Sequence, residues 1–282
     1  MTNDIPNDAF PSWRSYWLFE RSVTREFRYV RPPEVEAFLQ AVLVTSQSRK
    51  IDIPRGSLFW RAALGHDWRA YNSCIDDEVP CAHPPARMKP LPDKASDGRA
   101  NARGIPCLYM ATSKTTAMAE VRPWIGSKVS VGQFRTNRPL SVVDCSRRHD
   151  ASPFFLDLEI GNGEPSSEER TEAVWTHIDK AFAEPMTRSD DQADYAATQI
   201  LAELFKSAGF DGVVYKSNFG KDGYNIALFD PNAADLIKCG LFELKAIEPD
   251  FKASDDFYYV GDGLTSDDQL QGAHDASAGL PA

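Results

Sequence analysis

The apolar runs of this chain are short, and several are joined by connections that are too short to contain a crossover helix. The loop SNFGKDGY, for example, separates the apolar runs GVVYK and NIALF. Parallel neighbours need a long crossover, usually a helix, whereas antiparallel neighbours need only a turn. We therefore expect an α+β fold with a mixed, mostly antiparallel sheet and flanking helices. The predicted strands cover 56–63, 105–111, 129–134, 140–145, 212–216, 225–229 and 236–245.

Helices are predicted from apolar residues at helical spacing and from the residues at their ends. Ser113 is expected to cap one helix, and Asp194 another, because their side chains accept hydrogen bonds from free backbone amides. Gly209 is expected to follow the end of the last helix, since glycine adopts the left-handed conformation required there. One predicted helix opens at Pro32-Pro33, and three others cover 113–122, about 168–183 and 195–208.

Composition along the chain indicates three parts. Residues 1–54 are an aromatic-rich helical extension that is too short for its own core, so we expect it to pack on the main domain. Residues 55–248 form that main domain, interrupted by a long polar loop at 65–104 and a polar insertion at 146–193. Residues 249–282 are a polar, acidic extension, predicted to be disordered from about residue 261.

The charge and cysteine content exclude several classes of protein. The net charge of −10 repels phosphate backbones, so no direct contact with nucleic acid is expected. The five cysteines show no disulfide framework, and Cys74, Cys81 and His83 lack a CxxC pair and a fourth ligand, so no metal site is expected. Neither a signal peptide nor a run of membrane-spanning length is visible, which predicts a cytoplasmic protein without membrane contact.

Three polar features stand out against the apolar pattern. Arg61 lies within a predicted strand, where it meets an anionic ligand, points into water or pairs with a core carboxylate. Arg99 and Arg103 lie in a glycine-bounded loop, which suits bidentate capture of phosphate or is a solvated turn. Glu120 lies near the end of a short helix, where it would stabilise positive charge on a ribose or form a salt bridge with Arg122 or another arginine.

Four segments, in order along the chain, resemble the RES domain family, which is named for an arginine, a glutamate and a serine. The segment FWRA resembles its first arginine motif, and DGRANARG resembles its glycine–arginine loop with a following asparagine. LYMATSKTTAMAEVRP resembles its tyrosine strand and glutamate helix, and DYAATQILAELFKSAGFDGVVYKSNFGKDGYNIALF resembles its closing helix–strand–serine–strand unit. The matching residues are Arg61, Arg99, Asn101, Tyr109, Glu120, Ser217 and Asn225.

The resemblance implies a fold similar to ADP-ribosyltransferase toxins, with residues 55–248 as the RES domain. It also implies NAD⁺ as the substrate, cleaved between nicotinamide and ribose by phosphorolysis or hydrolysis. Many RES proteins are toxins that deplete NAD⁺, and their partner is a helix-turn-helix antitoxin. The residues carried over are Arg61, Glu120 and Ser217 as catalytic, and Arg61, Arg99, Asn101, Tyr109, Ser217 and Asn225 as NAD⁺-binding.

Other functions remain open from the sequence. A mono-ADP-ribosyltransferase would use the same residues to modify a protein, and a non-catalytic module would use them only to bind NAD⁺ or another nucleotide. A partner-binding protein would use the aromatic N-terminal segment and the acidic tail. Without the resemblance, Ser217 would be interpreted as a turn serine. The sequence selects no acceptor among phosphate, water and a protein side chain.

Overall fold

The structure of the protein, a computed structural model, describes residues 9–72, 75–91, 94–147, 149, 165–184, 192–219 and 223–248. Its α-helices are α1 (Ser15–Arg25), α2 (Pro33–Ser46), α3 (Lys114–Glu120), α4 (Ser167–Ala183) and α5 (Ala196–Ser207). Its strands are β1 (Lys50–Ile53), β2 (Leu58–Leu64), β3 (Asp67–Asn72), β4 (Ile75–Cys81), β5 (Leu108–Ala111), β6 (Lys128–Thr136), β7 (Leu140–Asp144), β8 (Gly212–Lys216), β9 (Tyr224–Leu228) and β10 (Ala234–Glu243).

Eight of the described strands form one sheet in the order β1-β7-β8-β9-β5-β2-β6-β10. The pair β7–β8 is parallel, and the long connection between these strands contains α4 and α5. The other neighbours in the sheet are antiparallel. The predicted α+β fold, with a mixed and mostly antiparallel sheet and flanking helices, is therefore confirmed.

The largest apolar cluster joins the helices to one face of the sheet. Helix α1 contributes Tyr16, Phe19 and Val23, which recur at helical spacing and are buried. Helix α4 contributes the fully buried Trp175 and Ile178 to the same cluster. Because these helices cover one sheet face, strand residues that point toward them are buried beside helix side chains.

Alternation along β8 determines which residues face these helices. Val213 and Tyr215 belong to the helix-side cluster, whereas Val214 packs against the cluster on the opposite face. In the neighbouring strand, Asn225 pairs with Tyr215 in register and therefore lies on the same face. This alternation brings Tyr215 and Asn225 to the side of the sheet that carries the helices.

The prediction of a long loop over 65–104 is wrong for its first part. Strands β3 and β4 lie there and pair antiparallel as a separate two-stranded sheet. Trp68 and Tyr71 of β3 are exposed, so the hairpin lacks the alternation of apolar and polar residues that predicts a strand with one buried face. The backbone N–H and C=O groups of its two strands bond to each other, so strand pairing rather than side-chain burial accounts for the hairpin.

The ends of two predicted helices have different outcomes. Ser113 accepts a hydrogen bond from the amide of Thr116, so its predicted cap is confirmed. The Asp194 cap is wrong, because α5 begins at Ala196 after a 3₁₀ turn over Gln192–Tyr195. Tyr195, whose backbone is already helical, takes the N-cap position of α5, and Asp194 lies within the preceding 3₁₀ turn. Gly209 has a φ of 87°, as expected of a residue that ends a helix.

The stretch predicted as an N-terminal extension contains α1, α2 and β1. Strand β1 pairs with β7 at one edge of the main sheet, a strand that its polar sequence KIDI did not indicate. Residues 249–282 lie outside the described ranges, and the proposed boundaries at 54 and 248 stay predictions. Each helix within the described ranges is too short or too polar to cross a lipid bilayer.

Candidate active site

Strands β2 and β5 are neighbours in the interior of the sheet, and the one register pair between their described residues is Trp60 with Ala111. Arg61 reaches from β2 to β5, where its Nη1 donates to the carbonyl oxygen of Tyr109 at 2.9 Å. Its Nε is buried and has no hydrogen-bond partner in the described part of the chain. Burial lowers the pKa of Arg61, and Cys107 and Tyr109 only partly oppose this effect. A guanidinium with a buried, unused donor is suited to an anionic ligand.

Glu120 is held by two side chains from distant parts of the sequence. Its Oε1 accepts a hydrogen bond from Ser217 Oγ at 2.7 Å and another from Asn225 Nδ2 at 2.6 Å. Helix α3 ends at Glu120, and Arg122 follows with a φ of 46°. Among the hydrogen bonds of the described residues, none reaches Oε2 of Glu120. One carboxylate oxygen is therefore fixed by the protein, which leaves the other for a ligand.

Ser217 combines a turn role with this contact. It follows β8, and its Oγ accepts a hydrogen bond from the amide of Phe219 at 3.0 Å while donating to Glu120. The interpretation as a turn serine is thus correct for its backbone contact, and the contact with Glu120 adds a second role. Glu120 Oε1 lies closer to this hydroxyl than the other acceptor in reach, the Phe219 carbonyl oxygen at 3.3 Å, so the hydroxyl positions the carboxylate in this geometry.

Arg61, Glu120 and Asn225 line one cavity of about 280 Å³. Its walls come from β2, β5, β8, β9 and α3, so segments far apart in sequence build it. A cation from β2 and a carboxylate from α3 therefore share one pocket. The complete set of lining residues is Trp60, Arg61, Ala62, Tyr109, Met110, Ala111, Ala117, Glu120, Val121, Tyr215 and Asn225.

Tyr109 and Asn101 bond to each other instead of presenting their polar atoms to the cavity. The hydroxyl of Tyr109 donates to Asn101 Oδ1 at 2.7 Å and accepts from the amide of Ala100 at 2.9 Å. The amide group of Asn101 donates to the carbonyl oxygens of Ser96 and Ala102. Asn101 is buried and lies outside the lining of the cavity, whereas Tyr109 lines it. The pair ties the arginine loop to β5.

Arg99 lies outside the set of residues that lines this cavity. Its Nη1 donates to the carbonyl oxygen of Ala181 near the end of α4, and its guanidinium lies 5.7 Å from the ring centre of Tyr195. Arg103 is exposed and forms an ion pair with Asp97 at 3.6 Å. In this structure the loop arginines are thus bound to protein groups, so an NAD⁺-binding role for Arg99 stays a prediction.

The structure distinguishes between the alternatives given for Arg61 and Glu120. Arg61 lies in a central strand and donates to a backbone carbonyl, and it forms no ion pair with a described carboxylate. The guanidinium of Arg122 lies 5.6 Å from the ring centre of Phe219, and the hydrogen bonds of Glu120 go to polar side chains. In the described ranges, no group of three histidine, cysteine or acidic residues is arranged to hold a metal ion, and Cys74 lies outside them.

Tyr215 lines the cavity and was not identified from the sequence. Burial raises its pKa above the ordinary range, Glu120 raises it further, and Arg99 acts in the opposite direction. Both charged residues are therefore within electrostatic reach of this hydroxyl. Its place in β8, two residues before Ser217 and in register with Asn225, is the signal that would have identified it.

Fold and site together define an α+β protein whose central cavity holds a half-buried arginine and a glutamate fixed by a serine and an asparagine. The RES domain family model matches residues 58–244, which include all of these side chains. The chain belongs to the RES domain family.

Two further comparisons complete these findings. One similar solved structure is the crystal structure of the M. tuberculosis MbcT–MbcA toxin–antitoxin complex, at 13% identity and a TM-score of 0.35, covering 72% of this chain and 92% of that chain. Among curated proteins, none matches the chain.

Proposed function

We propose that this protein cleaves the bond between nicotinamide and ribose in NAD⁺, with phosphate or water as the acceptor. The observation that carries the proposal is Glu120, whose Oε1 accepts two hydrogen bonds while the side chain lines the same cavity as Arg61. Membership of the RES family supports NAD⁺ as the substrate. The reaction releases nicotinamide and leaves ADP-ribose, or its phosphate ester, as the second product.

The chemistry places positive charge on the ribose as nicotinamide departs. A carboxylate that is already fixed near the sugar stabilises this charge without having to reorganise during the reaction. Ser217 and Asn225 supply that fixation, because both donate to the same oxygen of Glu120. The second oxygen would then accept hydrogen bonds from the ribose hydroxyls. Little acid catalysis is needed, since nicotinamide leaves as a neutral molecule.

Arg61 would hold the substrate from β2. The residue is half-buried, one nitrogen of its guanidinium is bound to the Tyr109 carbonyl, and its buried Nε has no partner among the described residues. An anionic oxygen of the dinucleotide would compensate for the loss of hydration that lowers the pKa of this group. Arginine is suited to this role because its planar donors match phosphate oxygens.

The size of the cavity fits part of NAD⁺ rather than the whole molecule. Its volume of about 280 Å³ lies at the lower end of small-molecule sites. We assign this space to nicotinamide and its ribose, with the ring of Tyr109 as a wall on which nicotinamide would stack. The adenosine half would lie outside, where Arg99 is a candidate for a phosphate contact after leaving Ala181.

A toxin that depletes cytoplasmic NAD⁺ is the biological role that we propose for this activity. The RES resemblance motivates a helix-turn-helix antitoxin as the partner that restrains it. Because this chain has a net charge of −10, contact with DNA would fall to that partner. Expression with and without a neighbouring candidate antitoxin, with NAD⁺ measured in both cultures, tests this role.

The activity is tested with the purified full chain, NAD⁺, and buffers with and without inorganic phosphate. We expect release of nicotinamide, and we expect Glu120→Gln to lower kcat by about 10²–10³-fold because one transition-state contact is removed. Glu203→Gln in α5 is the matched control, since Glu203 lies outside the cavity and should leave kcat unchanged.

The products decide between the proposed reaction and its alternatives. Release of nicotinamide with free ADP-ribose species supports the proposal, and its dependence on phosphate identifies the acceptor. Labelled ADP-ribose on protein would instead identify a transferase. Binding of NAD⁺ without turnover, equal in wild type and Glu120→Gln, would show that the chain is only a binding module.

A further inference from the structure

Asp179 is a fully buried carboxylate in α4 whose two oxygens reach different elements. Its Oδ2 contacts Nδ1 of His149, which follows β7, and its Oδ1 accepts from the backbone amide of Lys216 at 3.2 Å. Burial raises the pKa of Asp179, and the contacts with His149 and Lys216 oppose this effect. A carboxylate in such a place is costly unless each oxygen is bonded, as it is here.

The backbone amide that donates this hydrogen bond to Asp179 belongs to Lys216, the residue immediately before Ser217. On the other side of Ser217, the amide group of Asn218 donates to the carbonyl oxygen of Ala183 at 2.8 Å. Both chain neighbours of the serine are thus tied to the last turns of the same helix. Ser217 in turn donates to Glu120 at 2.7 Å, so the helix is connected to the carboxylate of the cavity through one serine.

The same end of α4 also holds the arginine loop, because the carbonyl oxygen of Ala181 accepts from Arg99. Residues 179, 181 and 183 therefore contact two segments that carry family residues. Two of these contacts use carbonyl oxygens near a helix end, which have no partner within the helix and are free to accept elsewhere. Only Asp179 contributes a side chain, so it is the position at which a substitution tests the arrangement.

We infer that Asp179, supported by His149, is a positioning residue that fixes Ser217 and through it the Glu120 carboxylate. The inference rests on the proposed NAD⁺ cleavage, since it assigns a role within that reaction. The Lys216 amide transmits the effect, because a shift of this amide moves the next residue with it. Reacting groups must be held to within a fraction of an ångström for full activity.

The test compares three variants of the full chain in nicotinamide release. Asp179→Ala removes both acceptor oxygens, and we expect kcat to fall about 10-fold or more with a KM within about threefold of wild type. Asp179→Asn retains an oxygen for the Lys216 amide, and we expect it to restore kcat to within about threefold of wild type. Rescue by asparagine would separate positioning from the mere loss of a buried charge.

Glu172→Gln is the matched control. Glu172 lies on the same helix and pairs with the buried Arg49 at 2.9 Å, so its loss weakens a buried ion pair elsewhere on α4. We expect this variant to lower the free energy of unfolding while kcat stays within about twofold of wild type. If Glu172→Gln and Asp179→Ala lower kcat equally, the inference is wrong and the helix acts only through stability.

Amide hydrogen exchange provides a readout that does not need activity. In Asp179→Ala we expect faster exchange at Lys216 and Ser217 than in wild type, with no such change in Glu172→Gln. Unchanged exchange in Asp179→Ala would overturn the inference. If this variant does not fold, His149→Ala replaces it, because it removes support from the same carboxylate. A wild type that releases no nicotinamide would refute the proposed function, and the exchange result would still decide the positioning role.

Discussion

At the scale of single residues, the site divides into side chains that face the cavity and side chains that hold them. Glu120 and Arg61 face it, whereas Ser217 directs its hydroxyl at Glu120. Asn101 and Tyr109 belong to the side chains that hold others in place, since they form hydrogen bonds with each other and with neighbouring backbone groups. Residues that share a family motif therefore have different physical roles.

The Asn101–Tyr109 contact yields a stability prediction. Asn101→Ala leaves the Tyr109 hydroxyl without its acceptor and the Ser96 carbonyl oxygen without a donor, so we expect a loss of about 1–3 kcal/mol in the free energy of unfolding. Tyr109→Phe removes the opposite partner. Urea denaturation of both single variants and of the double variant measures the coupling. Strictly additive losses would contradict the contact, because partners in one hydrogen bond are coupled.

The sequence led to these residues through the order of four motifs, but not to their partners. Glu120, Ser217 and Asn225 come from α3, the end of β8 and β9, and their meeting depends on strand order. Nothing local in the sequence states that order. The same limit explains why Tyr215 and Asp179 were missed, since each becomes part of the site only through neighbours in space.

At the scale of elements, apolar strands were predictable and polar strands were not. GVVYK matched β8 in both bounds because its residues are buried on two faces and are rich in valine. The polar strands β1, β3 and β4 lack this signal and were interpreted as loop or extension. Their formation depends on pairing with a partner strand, which periodicity does not report.

Helix α4 yields a prediction about pH. His177 packs against the rings of Trp13, Tyr16 and Trp17, and burial, followed by Lys180, lowers its pKa from 6.5 to about 4. The unfolded chain therefore binds a proton between pH 6.5 and 4 that the folded chain does not bind. The free energy of unfolding should fall as the pH is lowered through this window. After allowance for solvent screening, we expect a contribution of about 1–2 kcal/mol.

His177→Phe is the variant that isolates this contribution, because it retains a ring and removes the titration. Urea denaturation at pH 7 and at pH 4.5 measures both proteins. We expect the variant to lose less stability than wild type between the two pH values. Equal losses would show that other groups account for the acid sensitivity.

At the scale of the whole molecule, the family match begins at residue 58, yet the core extends further toward the N-terminus. Phe10, Phe19, Phe38 and Leu39 belong to the largest apolar cluster together with residues of α4 and α5. Thr45 accepts a hydrogen bond from the buried indole of Trp175 at 3.0 Å. The N-terminal helices thus cover the helices of the matched region and contribute to the same core.

Removal of residues 1–49 should therefore prevent stable folding. Each buried apolar side chain contributes about 1.5–3 kcal/mol. The combined contribution of four such side chains is therefore comparable with the total free energy of unfolding of a native protein, which is roughly 5–15 kcal/mol. Circular dichroism and gel filtration of the truncated chain measure the outcome. A truncated chain with the thermal midpoint of wild type would contradict the shared core.

Two neighbouring residues of α1 provide the matched comparison. Phe19 is 2% exposed and Leu18 is 67% exposed. We expect Phe19→Ala to lower the free energy of unfolding by about 3–5 kcal/mol. Leu18→Ala should change it by less than about 0.5 kcal/mol, because its side chain faces solvent.

Strands β2 and β5 share a single register pair, the shortest pairing in the eight-stranded sheet, so their junction is a seam within it. Few ladder bonds join the two strands at this seam, so a change in its width would break few main-chain hydrogen bonds. Arg61 bridges it through the Tyr109 carbonyl. A ligand anion that draws the guanidinium away would release this bridge as it enters. Entry of such an anion would then fill the cavity and remove the Arg61 hydrogen bond between the two strands at the same time.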